Sequence, residues 1–262
     1  MTSNEEQKAI KMFDELFKNN KVPEAEKPQC RQVNFDANNV YVFRDTLADL
    51  IDNQYCPKLE GMSSGVGLGS YLRNTPETVE IGAIGDIDVL DKPPSVDDCK
   101  KHLHEVLDGC DIPHDDYNPM NWKAGGEIKV DGWTYSLRPL HDRPPALNKP
   151  KAWCQIDSCN QDGCTLRMWG AGWESSNFGK ALREKLDDFT RVAKESGKIG
   201  NNKGYDTGSW EENFIYELMN GHEWTVTLSV NLGIFVEHGP TTANVMRLTA
   251  KDLEVEDCKE VW

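Results

Sequence analysis

The chain has 262 residues, 38 % of them hydrophobic and 28 % charged, and a formal net charge of −15. That balance disfavours nucleic acid and anionic membrane surfaces as partners, because both select clustered lysine and arginine. No apolar run approaches the roughly 18 residues of a spanning helix. The length suffices for one large or two small cores, and the modest hydrophobic share calls for covalent support.

In chain order, residues 3–19 place Ile10, Phe13, Leu16 and Phe17 on one side of a potential helix, with Pro23 and Pro28 beyond it. The run VNFDANNVYVF (33–43) reads as a strand broken by an Asn-Asn turn, followed by a helix around Asp45–Asn53 with Leu47, Leu50 and Ile51 inward. Gly61–Gly69 reads as a glycine-rich loop and Val79–Val89 as an alternating strand. Pro93 and Pro94 then separate this lobe from a helix over Asp98–Gly109. GGEIKVDGWTYSLRPL (125–140) is a hairpin turning at Asp131-Gly132, with Trp133 inward, and a proline-rich linker follows over Arg143–Pro150. The last third carries a cysteine hairpin, a helix in NFGKALREKLDDF (177–189) and a strand with Trp224, Val226, Leu228, Val230 and Leu232 on one face.

These elements predict an α+β fold, mainly antiparallel sheets with a few packed helices. The predicted organisation is an N-terminal helix or extension over 1–29, an α+β lobe over 30–92, and a cysteine-helix plus antiparallel-sheet domain over 95–262.

Eight cysteines, at 30, 56, 99, 110, 154, 159, 164 and 258, lack the paired close spacing of a zinc site and read as four disulfides. About a hundred complete pairings are open. Cys99 and Cys110 would share one helix about 16 Å apart, beyond the roughly 7 Å reach of a disulfide, so each should staple that helix to another part of the chain. Cys159 and Cys164 flank the turn sequence NQDG and can bond directly across a hairpin. Four disulfides imply an oxidising compartment, whereas MTSNEEQKAIKMFDELF is not a signal peptide. The reading that reconciles the two is an extracellular protein whose secretion signal has been removed ahead of Met1.

The run CKKHLHEVLDGCDIPHDDYNPMNWKAGGEIKVDGWTYSLRP (99–139) resembles a pattern of secreted cysteine-rich proteins of filamentous fungi. There, a cysteine helix ending in Cys-Asp leads through an Asn-Pro loop to Gly-Gly and a tyrosine-bearing strand. The run is also similar to the module attached to fungal killer-toxin-like chitinases and found in effector-like proteins. The continuation through WGAGW (169–173) and EWTVTLSVNL (223–232) fits. No Asp-x-x-Asp-x-Asp-x-Glu sequence is present, so the resemblance implies a fungal secreted origin and not a chitinase reaction.

His102 and His104 fall on a predicted helix two positions apart, pointing to nearly opposite sides, and Asp111, Asp115 and Asp116 lack calcium-loop spacing. Gly65, Gly67 and Gly69 lack the lysine of a phosphate loop. No metal ion and no cofactor is expected. Tryptophan is the notable surplus, with eight in the chain. Aromatic faces stack on the apolar faces of sugar rings while neighbouring Asn or Arg bonds the hydroxyls. Trp122, Asn121, Arg167, Trp169 and Trp173 are therefore the expected ligand contacts. The leading expectation is a secreted fungal effector-like binding protein that contacts a cell-wall polysaccharide or a host or competitor protein. One alternative is a carbohydrate-active hydrolase or lyase drawing two acids from Asp86, Asp88, Glu127, Glu174 and Glu211. Another is a toxin subunit or toxin-partner protein whose acidic surface steers a basic partner.

Overall fold

A computed structural model of the protein describes residues 27–59, 66–114, 117–219, 221–233, 237–255 and 258–260. The predicted N-terminal helix over 3–19 lies outside them.

The first half opens with three short strands, β1 (Gln29–Cys30), β2 (Asn39–Val40) and β3 (Val42–Phe43). Helix α1 (Arg44–Asp49) continues through a π-helical stretch at Leu50–Tyr55 into a last helical turn at Cys56–Leu59. Then come β4 (Val66–Tyr71), β5 (Val79–Gly85), α2 (Val96–Gly109), β6 (Trp122–Lys123), β7 (Gly126–Val130), β8 (Trp133–Pro139) and β9 (Asp142–Arg143). One sheet has the order β1-β7-β8-β5-β4, and its pairings are all antiparallel.

Along β8, Trp133, Tyr135 and Leu137 are buried and alternate with more exposed residues, as a sheet with one covered face requires. They join Val79, Ile81 and Ala83 of β5 beneath Leu47, Leu50 and Ile51 of the first helix and Leu103, Val106 and Leu107 of α2. The expected inward faces of these elements are thus the observed core. The β7–β8 turn has φ +48° at Asp131 and +80° at Gly132, the left-handed pair that matches the twist of a two-residue hairpin. Ser95 caps α2, its hydroxyl accepting the Asp98 N–H at 3.0 Å.

Two sequence readings are corrected here. Gly67 and Gly69 lie in β4, where bare backbone is needed because a Cβ on Gly69 would come within 2.6 Å of the Tyr71 ring. The strand expected to reach Val89 stops at Gly85, and Ile87–Val89 turns as a 3₁₀ helix. Asp86 and Asp88 therefore do not share a strand face. Strands on both sides of the predicted boundary at residues 92–95 share one sheet, since β5 pairs with β8 residue by residue from Val79↔Pro139 to Gly85↔Trp133.

The second half is built on β10 (Lys151–Cys159) and β11 (Cys164–Ala171), with α3 (Lys180–Glu195), β12 (Gly204–Tyr205), the short α4 (Trp210–Asn213), β13 (Phe214–Met219) and β14 (His222–Asn231). It ends with α5 (His238–Arg247), β15 (Glu254–Val255) and β16 (Lys259–Glu260). The sheet order is β12-β14-β11-β10-β15, with β13 paired to β14 and β16 to β10. Leu182 and Leu186 of α3 and Ala243 and Met246 of α5 share a core with Leu166, Met168, Trp224 and Val226 on one face of this sheet. The fold is α+β with mainly antiparallel sheets and four disulfides.

Cys99 and Cys110 each bond elsewhere, to Cys56 and Cys30, with Cα–Cα distances of 5.8 and 5.4 Å. Cys159 bonds Cys164 across the hairpin, and Cys154 of β10 holds Cys258 near the C-terminus. The last two bonds close loops of very different length, with sequence separations of 104 and 5 residues. Loop-closure entropy then makes the Cys154→Ala/Cys258→Ala variant less stable than Cys159→Ala/Cys164→Ala by about 2–3 kcal/mol. Denaturant midpoints of the two double variants measure that difference.

Candidate functional site: a cleft between the two halves

The segment joining the two sheets contains the decisive side chain. Arg143, in the stretch that reads as a proline-rich linker, is fully buried. Its Nε donates to Glu223 Oε1 at 2.5 Å and its Nη2 to Glu223 Oε2 at 2.9 Å, while Nη1 donates to the Tyr41 carbonyl at 3.0 Å. Glu77 Oε1 stands 3.6 Å from Nη1. The guanidinium lies 4.3 Å from the Tyr41 ring centre and 4.9 Å from that of Trp122. The planar fork suits a bidentate carboxylate and its faces suit aromatic rings, so a lysine could not replace it.

Glu223 is equally committed, accepting the Gly172 N–H at 3.0 Å and the Ser175 hydroxyl at 2.9 Å. Burial disfavours its charge. Arg143 and the Gly172 and Ser175 donors outweigh that cost and hold the carboxyl below the usual glutamate range. Tyr41, Glu77 and Arg143 come from the first half, and Glu223, Gly172 and Ser175 from the second. The cluster therefore fixes the position of one half on the other.

Beside this lock lies a cleft of 670 Å³. The first half contributes Phe43, Asn121 and Trp122 to its wall, and the second contributes Trp173, Glu174 and Ser176. Asn118 shapes the loop before β6, accepting the Trp122 N–H and donating to the carbonyls of Asp111 and Trp122. Asn118 and Asn121 both take left-handed backbone, φ +54° and +58°, which asparagine tolerates. Asn121 Oδ1 is buried with no hydrogen-bond partner among the described residues.

Trp122 is 1 % exposed and Trp173 7 % exposed. Their indole N–H groups donate to the carbonyls of Leu147 and Lys151, both at 2.9 Å, and both side chains line the cleft while almost wholly buried. Trp122 sits in strand β6, although its Asn-rich surroundings read as a loop. Asn121, Trp122 and Trp173 are thus brought together. Arg167 and Trp169 lie apart from them, on the outer face of the second sheet.

The acids considered for hydrolysis are scattered. Asp86 pairs with Lys129 at 2.7 Å, Glu127 is exposed on β7, and Glu211 stands 3.9 Å from Arg183. Glu174 does line the cleft, and burial pushes its carboxyl up. It accepts the Ala181 N–H at 3.1 Å and so tethers the start of α3. Glu77, which sequence reading missed, accepts the Phe43 N–H at 2.9 Å and the Thr46 hydroxyl at 3.2 Å and secures the start of α1. These two cleft acids have structural partners, whereas the third, Asp252, is exposed. His102 bonds Glu105 and His104 bonds Asp52, on separate sides of α2. Asp111 accepts the N–H groups of Val33 and Ala124, and Asp115 and Asp116 fall outside the described residues.

Residues 24–140 match the model of a fungal lectin family. Its description is "Putative glycan binding domain", and the match spans just under half of the chain. The lectin-matched stretch contains Asn121 and Trp122 and stops three residues short of Arg143. No curated protein and no solved structure matches the chain.

Arg143, Glu223 and Glu77 left little trace in the sequence. The available signal was a glutamate next to Trp224, where two consecutive buried residues interrupt the alternation of β14.

Removing Arg143 alone strands a buried carboxylate. Arg143→Ala should lose about 3–5 kcal/mol, and Arg143→Met/Glu223→Leu should recover most of it. The Glu223 pKa is depressed in the folded state, so the ion pair's contribution is fully present above the unfolded value of about 4.3 and is lost as pH falls through the lower folded value. Urea midpoints from pH 7 to 3 should fall more steeply for wild type than for the double variant.

Proposed function

We propose that the protein is a secreted glycan-binding protein and that the cleft between its halves receives the saccharide. The observation that carries this reading is a cleft in which Asn121, with an unpartnered Oδ1, lies beside the nearly buried rings of Trp122 and Trp173. A pyranose offers both a hydroxyl donor and an apolar face, and it matches that combination. The match of residues 24–140 to a fungal lectin family supports it, and the four disulfides support export, since they persist in oxidising compartments. A cell-wall polysaccharide is the proposed target, with an effector-like role at a host or competitor surface.

The test is calorimetric titration with soluble oligosaccharides of chitin, β-glucan and mannan. Asn121→Gly keeps the left-handed backbone accessible while removing the amide. It should weaken binding about 2- to 10-fold, the worth of one neutral hydrogen bond, without shifting the melting temperature. Unchanged affinity in this variant, or no binding of any sugar by wild type, would sink the cleft as the site. The same mixtures should show no new reducing ends, because two of the three cleft acids, Glu77 and Glu174, are occupied in securing helices.

A further inference from the structure

The outer face of the second sheet is built differently from the cleft. Helices α3 and α5 pack on the inner face. On the outer face, Trp153 of β10 stands opposite Trp169 of β11, Trp169 opposite Thr225 of β14, and Thr225 opposite Ile215 of β13. These four form one straight row across four strands, a span of roughly 14 Å at the usual strand spacing. Both tryptophans are part-exposed, and Ile215 is 53 % exposed. A second row runs alongside, with Gln155 opposite Arg167 and Arg167 opposite Thr227.

Charge narrows the occupant. On a chain of net charge −15, Arg167 and Asp157 on this face neutralise each other, Arg167 Nη2 donating to Asp157 Oδ1 at 2.9 Å, and Lys259 stands opposite Gln155. Gln155 Nε2 donates to the same oxygen at 2.6 Å, and the Arg167 guanidinium stands 5.7 Å from the Trp169 ring centre. The aligned row itself carries no charged side chain, and amide, hydroxyl and a paired guanidinium lie beside it. Isolated exposed apolar residues are ordinary, but an aligned tryptophan pair with a polar row beside it is a shaped surface. Sugar rings laid end to end present an apolar face to such a row and hydroxyls to its polar neighbour.

We propose that this face is a second glycan site, separate from the cleft, which takes an extended, uncharged polysaccharide across the row from Trp153 to Ile215. It lies wholly outside the lectin-matched residues 24–140. It also adjoins the cleft, because β10 begins after Pro150 and β11 ends before Gly172, both cleft residues. A long chain could engage both sites, and linked binding of that kind multiplies retention on a solid polymer.

The experiment is adsorption of the full, oxidised chain to insoluble chitin, β-glucan and mannan. Trp153→Ala/Trp169→Ala should lose roughly 10- to 100-fold in partition to the polymer that wild type adsorbs, while Trp169→Phe retains most of it. Thr225→Glu, which puts a charge in the middle of the row without emptying it, should give a comparable loss and guards against misfolding of the double variant. Soluble oligosaccharide binding at the cleft should be unaffected by all three. Adsorption equal to wild type in the double variant and in Thr225→Glu would overturn the proposal, as would adsorption of wild type to none of the polymers. A wild-type dimer in sedimentation that these variants dissociate would also overturn it, by assigning the face to a second copy of the chain. The cleft reading stands or falls separately, on Asn121→Gly.

Discussion

The buried contact between Arg143 and Glu223 is the constraint on which the rest of the arrangement depends. Every disulfide is internal to one half: Cys30–Cys110 and Cys56–Cys99 lie in the first, and Cys154–Cys258 and Cys159–Cys164 in the second. Covalent bonds therefore fix each half and leave their relative placement to noncovalent contacts. Arg143 supplies the centre of those contacts, with its charge met by Glu223, its faces covered by Tyr41 and Trp122, and Glu77 close by. Buried ion pairs contribute little net stability compared with apolar replacements, but they demand specific geometry. In this protein the geometry is what keeps Asn121 and Trp122 opposite Trp173 and Glu174.

The tryptophans divide by the work they do. Trp133, Trp210 and Trp224 are buried in the cores, and the Trp224 indole donates to the Trp173 carbonyl at 2.8 Å. Trp122 and Trp173 line the cleft from below the surface, with their polar atoms already bonded. Trp153 and Trp169 stand on the open sheet, part-exposed and side by side. A surplus of one residue type thus reflects three environments. The acidic residues show the converse, because two of the three at the cleft, Glu77 and Glu174, hold helix starts and the others are dispersed.

Much of the fold was readable from residue order. The α+β class, the inward faces of α1, β8 and β14, the Asp131-Gly132 turn and the Cys159–Cys164 bond follow from period-two and helical spacing and from turn chemistry, all of which are local. The argument that Cys99 and Cys110 must bond elsewhere was also local, since it needed the helix rise alone. Helix α5 escaped notice because its sequence, HGPTTANVMR, has a glycine, a proline and two threonines in its first turns and gains its stability from packing on β10.

The site was legible only in pieces. Sequence composition selected Asn121, Trp122, Arg167, Trp169 and Trp173 as a set, by residue chemistry, and said nothing of distance. Folding separates them into a cleft and a sheet face because strand alternation turns Arg167 and Trp169 outward, while the chain after Ala171 bends back toward the first half. Arg143 looked like part of a linker and Glu223 like the edge of a strand. Their partnership spans 80 residues, and no local pattern encodes a contact at that separation. The sequence by itself determined the class of fold and part of the disulfide framework, and it supplied the set of aromatic and polar residues from which a site can be drawn. The tertiary structure alone decided which groups share a surface, because that depends on how two separately stapled halves dock through one buried charge.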